Sequence, residues 1–153
     1  MSRRQHLRAG VTLLELMVVV TIMGVVGAMS AGRVHALIVH QRITRAASAV
    51  QNNLEAAFAT SGRNRRPVRI TWDASTAQLQ VTDRAGTKTY SHTNLGREPY
   101  GLGSSAVSVS SSPIEVFPSG LASDNLVVTI TLEGLTRQVR MSRAGMIDIQ
   151  IIQ

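Results

Sequence analysis

The chain contains no cysteine. That absence excludes disulfides, thiolate metal sites and a cysteine nucleophile, so the fold must hold by its core alone. Proline is nearly as scarce, with 4 residues in 153 and none before Pro67. Nothing therefore forces a helix to break in the first 66 residues. Acids are few, 9 against 16 Lys and Arg, for a formal net charge of +7. Three of those basic residues, Arg3, Arg4 and Arg8, stand together at the start with no acid among them, so the remainder carries 7 − 3 = +4. This placement reads as membrane orientation, with the basic end held in the cytoplasm, rather than as a nucleic-acid footprint.

Directly behind the basic residues lies the stretch that organises the chain. Gly10 to Gly32 reads GVTLLELMVVVTIMGVVGAMSAG, almost unbroken in its apolar character, with one acid, Glu15. At about 1.5 Å per residue the run makes a helix of roughly 30 Å, enough to cross a bilayer core. A charge at mid-bilayer costs about 3 kcal/mol on insertion scales, so an acid there calls for a function. Taken alone, the residues also admit a plain membrane anchor, or a secretory signal peptide cut after Ser30 with Ala28 and Ser30 as its small residues. The length of the run and its acid fit the signal peptide poorly.

Gly10, Val11, Thr12, Leu13, Leu14, Glu15 and Leu16, behind a short basic leader, closely resemble the N-terminus of type IV prepilins and type II secretion pseudopilins. The resemblance implies that a prepilin peptidase cuts after Gly10 and that the new amino terminus of Val11 is methylated. It implies that Glu15 pairs with a free terminal amine as subunits stack. The partners it implies are the peptidase, other pilins or pseudopilins through helix packing, an inner-membrane assembly platform, and lipid before assembly. The implied place is the bacterial inner membrane, single-pass, N-terminus cytoplasmic and C-terminal part extracytoplasmic, and then a filament. Two positions depart from the family's habit: the first mature residue is usually Phe and here is Val11, and the twenty-second is often Pro and here is Gly32.

Past the run, Ile43, Ala46, Ala47, Val50, Leu54, Ala57 and Phe58 recur at spacings of three and four, forming one helical stripe. Gln41, Arg45, Ser48, Asn52 and Glu55 fall opposite. Residues 33–60 thus read as an amphipathic continuation of the helix, with Gly62 as its stop. Val34, Leu37 and Ile38 project about 180° from the stripe at 100° per residue. They mark either a second packing face or the exit from the membrane.

After Gly62 the period changes to two. Val68, Ile70 and Trp72 alternate with polar residues, as do Leu79 and Val81, with turn signals at Asp73–Thr76 and Asp83–Gly86. Weaker strands are possible at Thr87–Tyr90 and Ala106–Ser110. Ile114–Phe117, Val128–Leu132, the segment around Val139 and Met141, and Ile147 to Ile151 complete the set, with turns at Glu133-Gly134 and Ala144-Gly145. Strands joined by short turns form antiparallel hairpins, and one long helix before them gives an α+β domain with the helix on a sheet. The expected organisation is a leader (1–10), a membrane-spanning helix (11–32), its amphipathic continuation (33–60) and a β-rich domain (61–153). Ile114 to Ile149, IEVFPSGLASDNLVVTITLEGLTRQVRMSRAGMIDI, with SGRNRRPVRI at the helix exit, resembles the GspH/FimT branch of the pilin superfamily. The implied fold is pilin-like. The implied function is a minor pseudopilin or minor pilin of a type II secretion pseudopilus or type IV pilus, a structural subunit and not an enzyme.

A search for chemistry finds little. His35 and His40 point about 140° apart on a helix, so they do not share a metal. His6 falls in the leader and His92 in a loop. Gly101, Gly103 and Ala106 match a loose dinucleotide pattern, but Pro99 precedes them and a Ser-rich extended stretch comes after, which reads as a loop. Asp73 and Asp83 lie in separate turns without calcium-loop spacing. No metal or cofactor is called for. One basic cluster stands out: Arg63, Arg65, Arg66 and Arg69, with Arg84, Lys88 and Arg97 as possible neighbours. It reads as a solvated helix exit, or alternatively as phosphate contacts of a DNA-uptake minor pilin. FimT-like members implicated in DNA uptake carry a basic G-R-x-R at the final turn. Here that turn reads Gly145, Met146, Ile147, Asp148, so DNA is not expected as a partner by that route.

Overall fold

The computed structural model describes residues 12–152, apart from the side chains of residues 29–33. One α-helix, α1, spans Leu13–Asn64 and is followed by eight strands and one short 3₁₀ turn. The chain divides into two compact units, the first ending at Leu37 and the second running Ile38–Gln153. In the first unit the large apolar side chains from Leu13 to Val26 are all exposed, Val19 the least at 47%.

In the second unit the amphipathic stripe does what its spacing predicts. Ile43, Ala46, Ala47, Val50, Leu54 and Ala57 are completely buried and Phe58 packs against them half-buried. Gln41, Arg45, Ser48, Asn52 and Glu55 face solvent. Three alanines on the stripe keep the helix surface low, so the strands can approach closely. Each fully buried Leu or Ile here contributes about 1.5–3 kcal/mol.

The strands are β1 (Val68–Asp73), β2 (Gln78–Asp83), β3 (Thr89–Asn94), β4 (Val107–Val109), β5 (Ile114–Val116), β6 (Leu126–Leu132), β7 (Leu135–Met141) and β8 (Ile147–Ile152). The fold is α+β, as expected, but the strands form two four-stranded sheets rather than one, ordered β3-β2-β1-β5 and β4-β6-β7-β8. All pairings are antiparallel. The chain changes sheet three times, between β3 and β4, between β4 and β5, and between β5 and β6. Val68, Ile70, Leu79, Val81, Ile114 and Val116 of the first sheet meet Leu126, Val128, Ile130, Val139 and Met141 of the second in one core with the helix stripe. The β6–β7 hairpin closes on Glu133 and Gly134, both at positive φ (48° and 83°), the pattern of a two-residue turn matched to strand twist.

Further details differ from the sequence expectation, among them His92, expected in a loop and found within β3 opposite Gln80. The helix does not stop at Gly62 but continues to Asn64, and Arg65, at φ 52°, makes the left-handed exit. Buried Ser61 explains the extension: its Oγ donates toward the carbonyls of Arg66 and Val116, both at 3.0 Å, which ties the last turn to β5. The weak strand expected at Thr87–Tyr90 sits later, at Thr89–Asn94. Ile151, placed by alternation with Ile147 and Ile149, is 66% exposed and outside the core.

Candidate functional site

The helix start builds the first candidate. Thr12 precedes α1 and acts as its N-cap: Oγ1 accepts the Glu15 N–H at 3.2 Å, and its carbonyl accepts the Leu16 N–H at 3.2 Å. Glu15 therefore occupies the third helical position, in the first turn, where unpaired amides favour a negative charge. Its side chain is exposed, among exposed Leu13, Leu14 and Leu16. Thr21, inside the apolar run, donates its hydroxyl to the Met17 carbonyl at 2.8 Å, so it adds no unsatisfied polar group. Gly10 and Val11, the expected cleavage and methylation positions, lie outside the described residues, as do Arg3, Arg4, His6 and Arg8. Among the described residues no helix is long and apolar enough to cross a membrane. The described side chains of the run end at Ala28, short of the roughly 20 residues a crossing takes.

The second candidate is the basic cluster, which the structure redistributes. Arg63, Arg65 and Arg66 are exposed at the end of α1, and no acid among the described residues pairs with them. Arg69 is different: its Nη2 lies 3.2 Å from Oε1 of half-buried Glu115, set opposite it by the β1–β5 register. Arg84 reaches the same oxygen at 3.3 Å. Arg69 is thus committed within the sheet and does not belong to a phosphate-facing group. Arg84 and Lys88 do come close. With Arg66, Pro67, Asp83, Thr87 and Tyr90 they line a groove of about 510 Å³. Lys88 Nζ sits 5.3 Å from the Tyr90 ring centroid, a cation–π contact. Arg97 lies elsewhere, beside His92, Glu98 and Tyr100.

Asp83, the acid of that groove, is occupied by its own turn. Its oxygens accept from the Lys88 N–H at 2.9 Å and the Thr87 hydroxyl at 2.6 Å, and these bonds hold its carboxyl below the usual range. Asp73 does the same in the β1–β2 turn, where the Ser75 hydroxyl, the Thr76 hydroxyl and the Ser75 N–H lower its pKa. Neither carboxylate is shaped for a metal, and among the described residues no group of three or more metal-ligating side chains exists. His40 Nε2 faces Arg137 Nη2 at 3.3 Å. Gly101, Gly103 and Ala106 form a turn and one 3₁₀ turn, with no α-helix after them.

The capping role of Thr12, a residue of the N-terminal motif, and the contacts of Glu115 and Tyr90 are not among the sequence expectations. For Thr12 the signal was present: Thr-x-x-Glu before an apolar run is a capping box pattern. For Glu115 and Tyr90 there was none, because their positions depend on strand pairing.

Comparison with known proteins adds two findings. The family description "Prokaryotic N-terminal methylation motif" matches residues 6–31, which bracket Gly10, Val11 and Glu15. Two solved structures share the fold. One is the minor pseudopilin EpsH from the type 2 secretion system of Vibrio cholerae, with TM-score 0.54, 13% identity, 72% of this chain and 97% of that one covered. The other is the type IV minor pilin FimU of Pseudomonas aeruginosa, with TM-score 0.56, 16% identity, 74% of this chain and 90% of that one covered. The chain thus carries a prokaryotic N-terminal methylation motif and shares its fold with a minor pseudopilin and a minor pilin. No curated protein matches the sequence. By name one is a minor pseudopilin and the other a minor pilin; in this chain the large apolar side chains from Leu13 to Val26 form an exposed surface. Such a surface has to be covered by lipid or by other helices.

Proposed function

We propose that the chain is a minor pseudopilin or minor pilin of the GspH/FimT type. It is a structural subunit, not an enzyme, that waits in the inner membrane and then joins a pseudopilus or pilus. The observation that carries this reading is the coincidence, on one chain, of a methylation motif over residues 6–31 with a pilin-like domain behind it. In this reading residues 1–10 are a leader removed by prepilin peptidase, Val11 becomes the methylated amino terminus, and residues 11–32 cross the bilayer. Residues 33–60 carry the helix on into the outer domain, 61–153. Glu15 leaves water with the helix and takes the Val11 amine of a neighbour as its cation, because an unpaired buried charge is costly. The assembly platform and other pilins are the partners. The test is the intact mass of the membrane-extracted protein. The expected chain starts at Val11 and carries one extra methyl group. A start at Ala31 would establish a signal peptide instead, and an uncut chain a plain anchor.

A DNA-binding minor pilin is the second reading. The observation in its favour is that Arg63, Arg65 and Arg66 have no ion-pair partner among the described residues, and that Arg66 lines a groove with Lys88 and Arg84. It ranks lower because Arg69 is tied to Glu115 and the last turn holds Asp148 in place of arginines.

A further inference from the structure

Exposed apolar side chains in the second unit are not scattered. Among its described residues six large ones are exposed: Ile38, Leu121, Leu135, Met146, Ile151 and Ile152. Leu121 and Met146 follow Gly120 and Gly145, which meet beside Phe58 near the C-terminal end of α1. The other four gather at the opposite end, where the chain enters the unit. Ile38 is the unit's first residue. His40 Nε2, 3.3 Å from Arg137 Nη2, sets β7 beside the first turn of this part of α1. The β7–β8 register places Ile151 opposite Arg137 and Ile152 opposite Thr136, and Leu135 opens β7 behind the Glu133-Gly134 turn. Leu135, Arg137, Ile151 and Ile152 line an apolar cavity of about 260 Å³ that also touches fully buried Ile43. None of the four exposed residues belongs to the core.

We infer that this end of the domain rests on the lipid surface while the subunit waits in the membrane, with Leu135, Ile151 and Ile152 in the interfacial layer. The inference rests on the membrane reading above. Under that reading the bilayer segment ends at residue 32, and six residues of helix from there to Ile38 cover about 9 Å. The headgroup layer outside the hydrocarbon core is about 5–8 Å deep, so the chain delivers Ile38 to its outer edge. The apolar residues come from α1, β7 and β8 and share no stretch of sequence. What they share is a level along α1, and a level patch fits a flat surface. A neighbouring helix would instead cover a stripe running along one element. Arg137 supplies the polar part of an interfacial contact. Its stem can lie along the apolar patch, and it keeps N–H donors beyond the one near His40 for a lipid phosphate. Glu133, the acid of the adjoining turn, is already engaged. Side chains held this way sink about 5–10 Å into the headgroup boundary. So few of them give a reversible hold, compatible with departure into a filament.

The absence of native cysteine allows labelling at one site at a time. Full-length chains with a bimane fluorophore on Val20→Cys, Ile151→Cys or Ala144→Cys are reconstituted at high dilution. The vesicles are phosphatidylethanolamine and phosphatidylglycerol with a doxyl-labelled lipid as quencher. Val20 lies in the apolar run, and Ala144 is exposed in the β7–β8 turn at the far end of the domain. Lipid quenching at Ile151 should exceed that at Ala144 about fivefold, with Val20 quenched at least as strongly as Ile151. A label on Leu135→Cys should behave like the one on Ile151. Adding Ile151→Asp and Ile152→Asp should lower the Leu135 signal about threefold and leave the Val20 signal unchanged. An unquenched Val20 would sink the membrane reading and this inference with it. A quenched Val20 beside an Ile151 signal at the Ala144 level would overturn the inference alone. A label on Ile151 shielded from iodide in the water but not reached by the lipid quencher would mean a protein occupant, and would overturn it as well. So would a Leu135 signal indifferent to the two aspartates.

Discussion

Two glycines of this chain face opposite demands. Gly145 sits at φ 79°, and a Cβ there would lie 3.1 Å from Phe58 Cε1 and 3.2 Å from the Gly120 carbonyl oxygen. The residue therefore needs both left-handed backbone and bare space, between the last hairpin and the helix. Gly145→Ala should destabilise by about 1–3 kcal/mol. Gly62 lies inside α1, and a Cβ there would meet nothing within 4 Å, so Gly62→Ala should stabilise by about 0.5–1 kcal/mol. Urea unfolding of the fragment 38–153, which contains every residue of the buried core, measures both. Opposite signs are expected, and a shared sign would contradict the helix end described here. The same fragment reports on Asp73 and Asp83. Both carboxyls titrate below their ordinary value in the fold because the turn hydroxyls and amides bind the ionised form. A depressed folded pKa contributes stability that is present above the unfolded value, about 3.9, and lost as pH falls through the folded one. Thermal midpoints should therefore drop between about pH 5 and pH 2, and Asp83→Asn should flatten that slope. An unchanged slope in the variant would show that the turn bonds carry no linkage.

At the scale of elements, legibility followed the range of the interaction. The stripe Ile43 to Phe58 could be read because a helix half-buried on one side leaves a 3.6-residue period in its own sequence. The long hairpins β1–β2, β6–β7 and β7–β8 could be read because alternation and turn residues are local. The two-sheet arrangement could not, since it rests on three-residue β4 and β5 taking partners far along the chain. Arg69 shows the consequence. By proximity in sequence it belongs with Arg63, Arg65 and Arg66, but Glu115, 46 residues on, claims it. The remaining arginines form a loose basic exit from α1. Duplex DNA binding by the fragment should accordingly be weak and should vanish with rising salt, as expected for a few phosphate contacts. Replacing Arg63, Arg65 and Arg66 by Ala should change little at about 150 mM salt. Tight binding at that salt, abolished in the triple variant, would promote the DNA-uptake reading above the structural one.

At the scale of the whole molecule, the decisive residue is Glu15. The apolar surface from Leu13 to Val26 can be satisfied by lipid as well as by other helices, so it does not by itself imply assembly. The proposed role of the acid goes further, because a carboxylate gains nothing from hydrocarbon and gains a partner only in a subunit contact. If Glu15 is incidental in an anchor, Glu15→Leu should be harmless: the helix becomes more apolar and is retained slightly better. If Glu15 pairs with the Val11 amine of a neighbour, the same change leaves that amine unpartnered in a low-dielectric contact. Unpairing a buried charge costs about 3–5 kcal/mol, a large share of the energy of one subunit contact. The Thr12 cap is made by the Glu15 backbone amide and survives the substitution, so helix formation is not what the variant tests. Membrane level should stay normal, and cleavage after Gly10 should proceed. Cross-linking to partner pilins should fall at least tenfold. Glu15→Asp, which keeps the charge but shortens its reach by one methylene, should lie between. The ratio of cross-linked to total membrane protein separates the two accounts. A normal ratio in Glu15→Leu would mean that this acid does not organise assembly, and the structural-subunit reading would lose its mechanism even with the pilin-like fold intact.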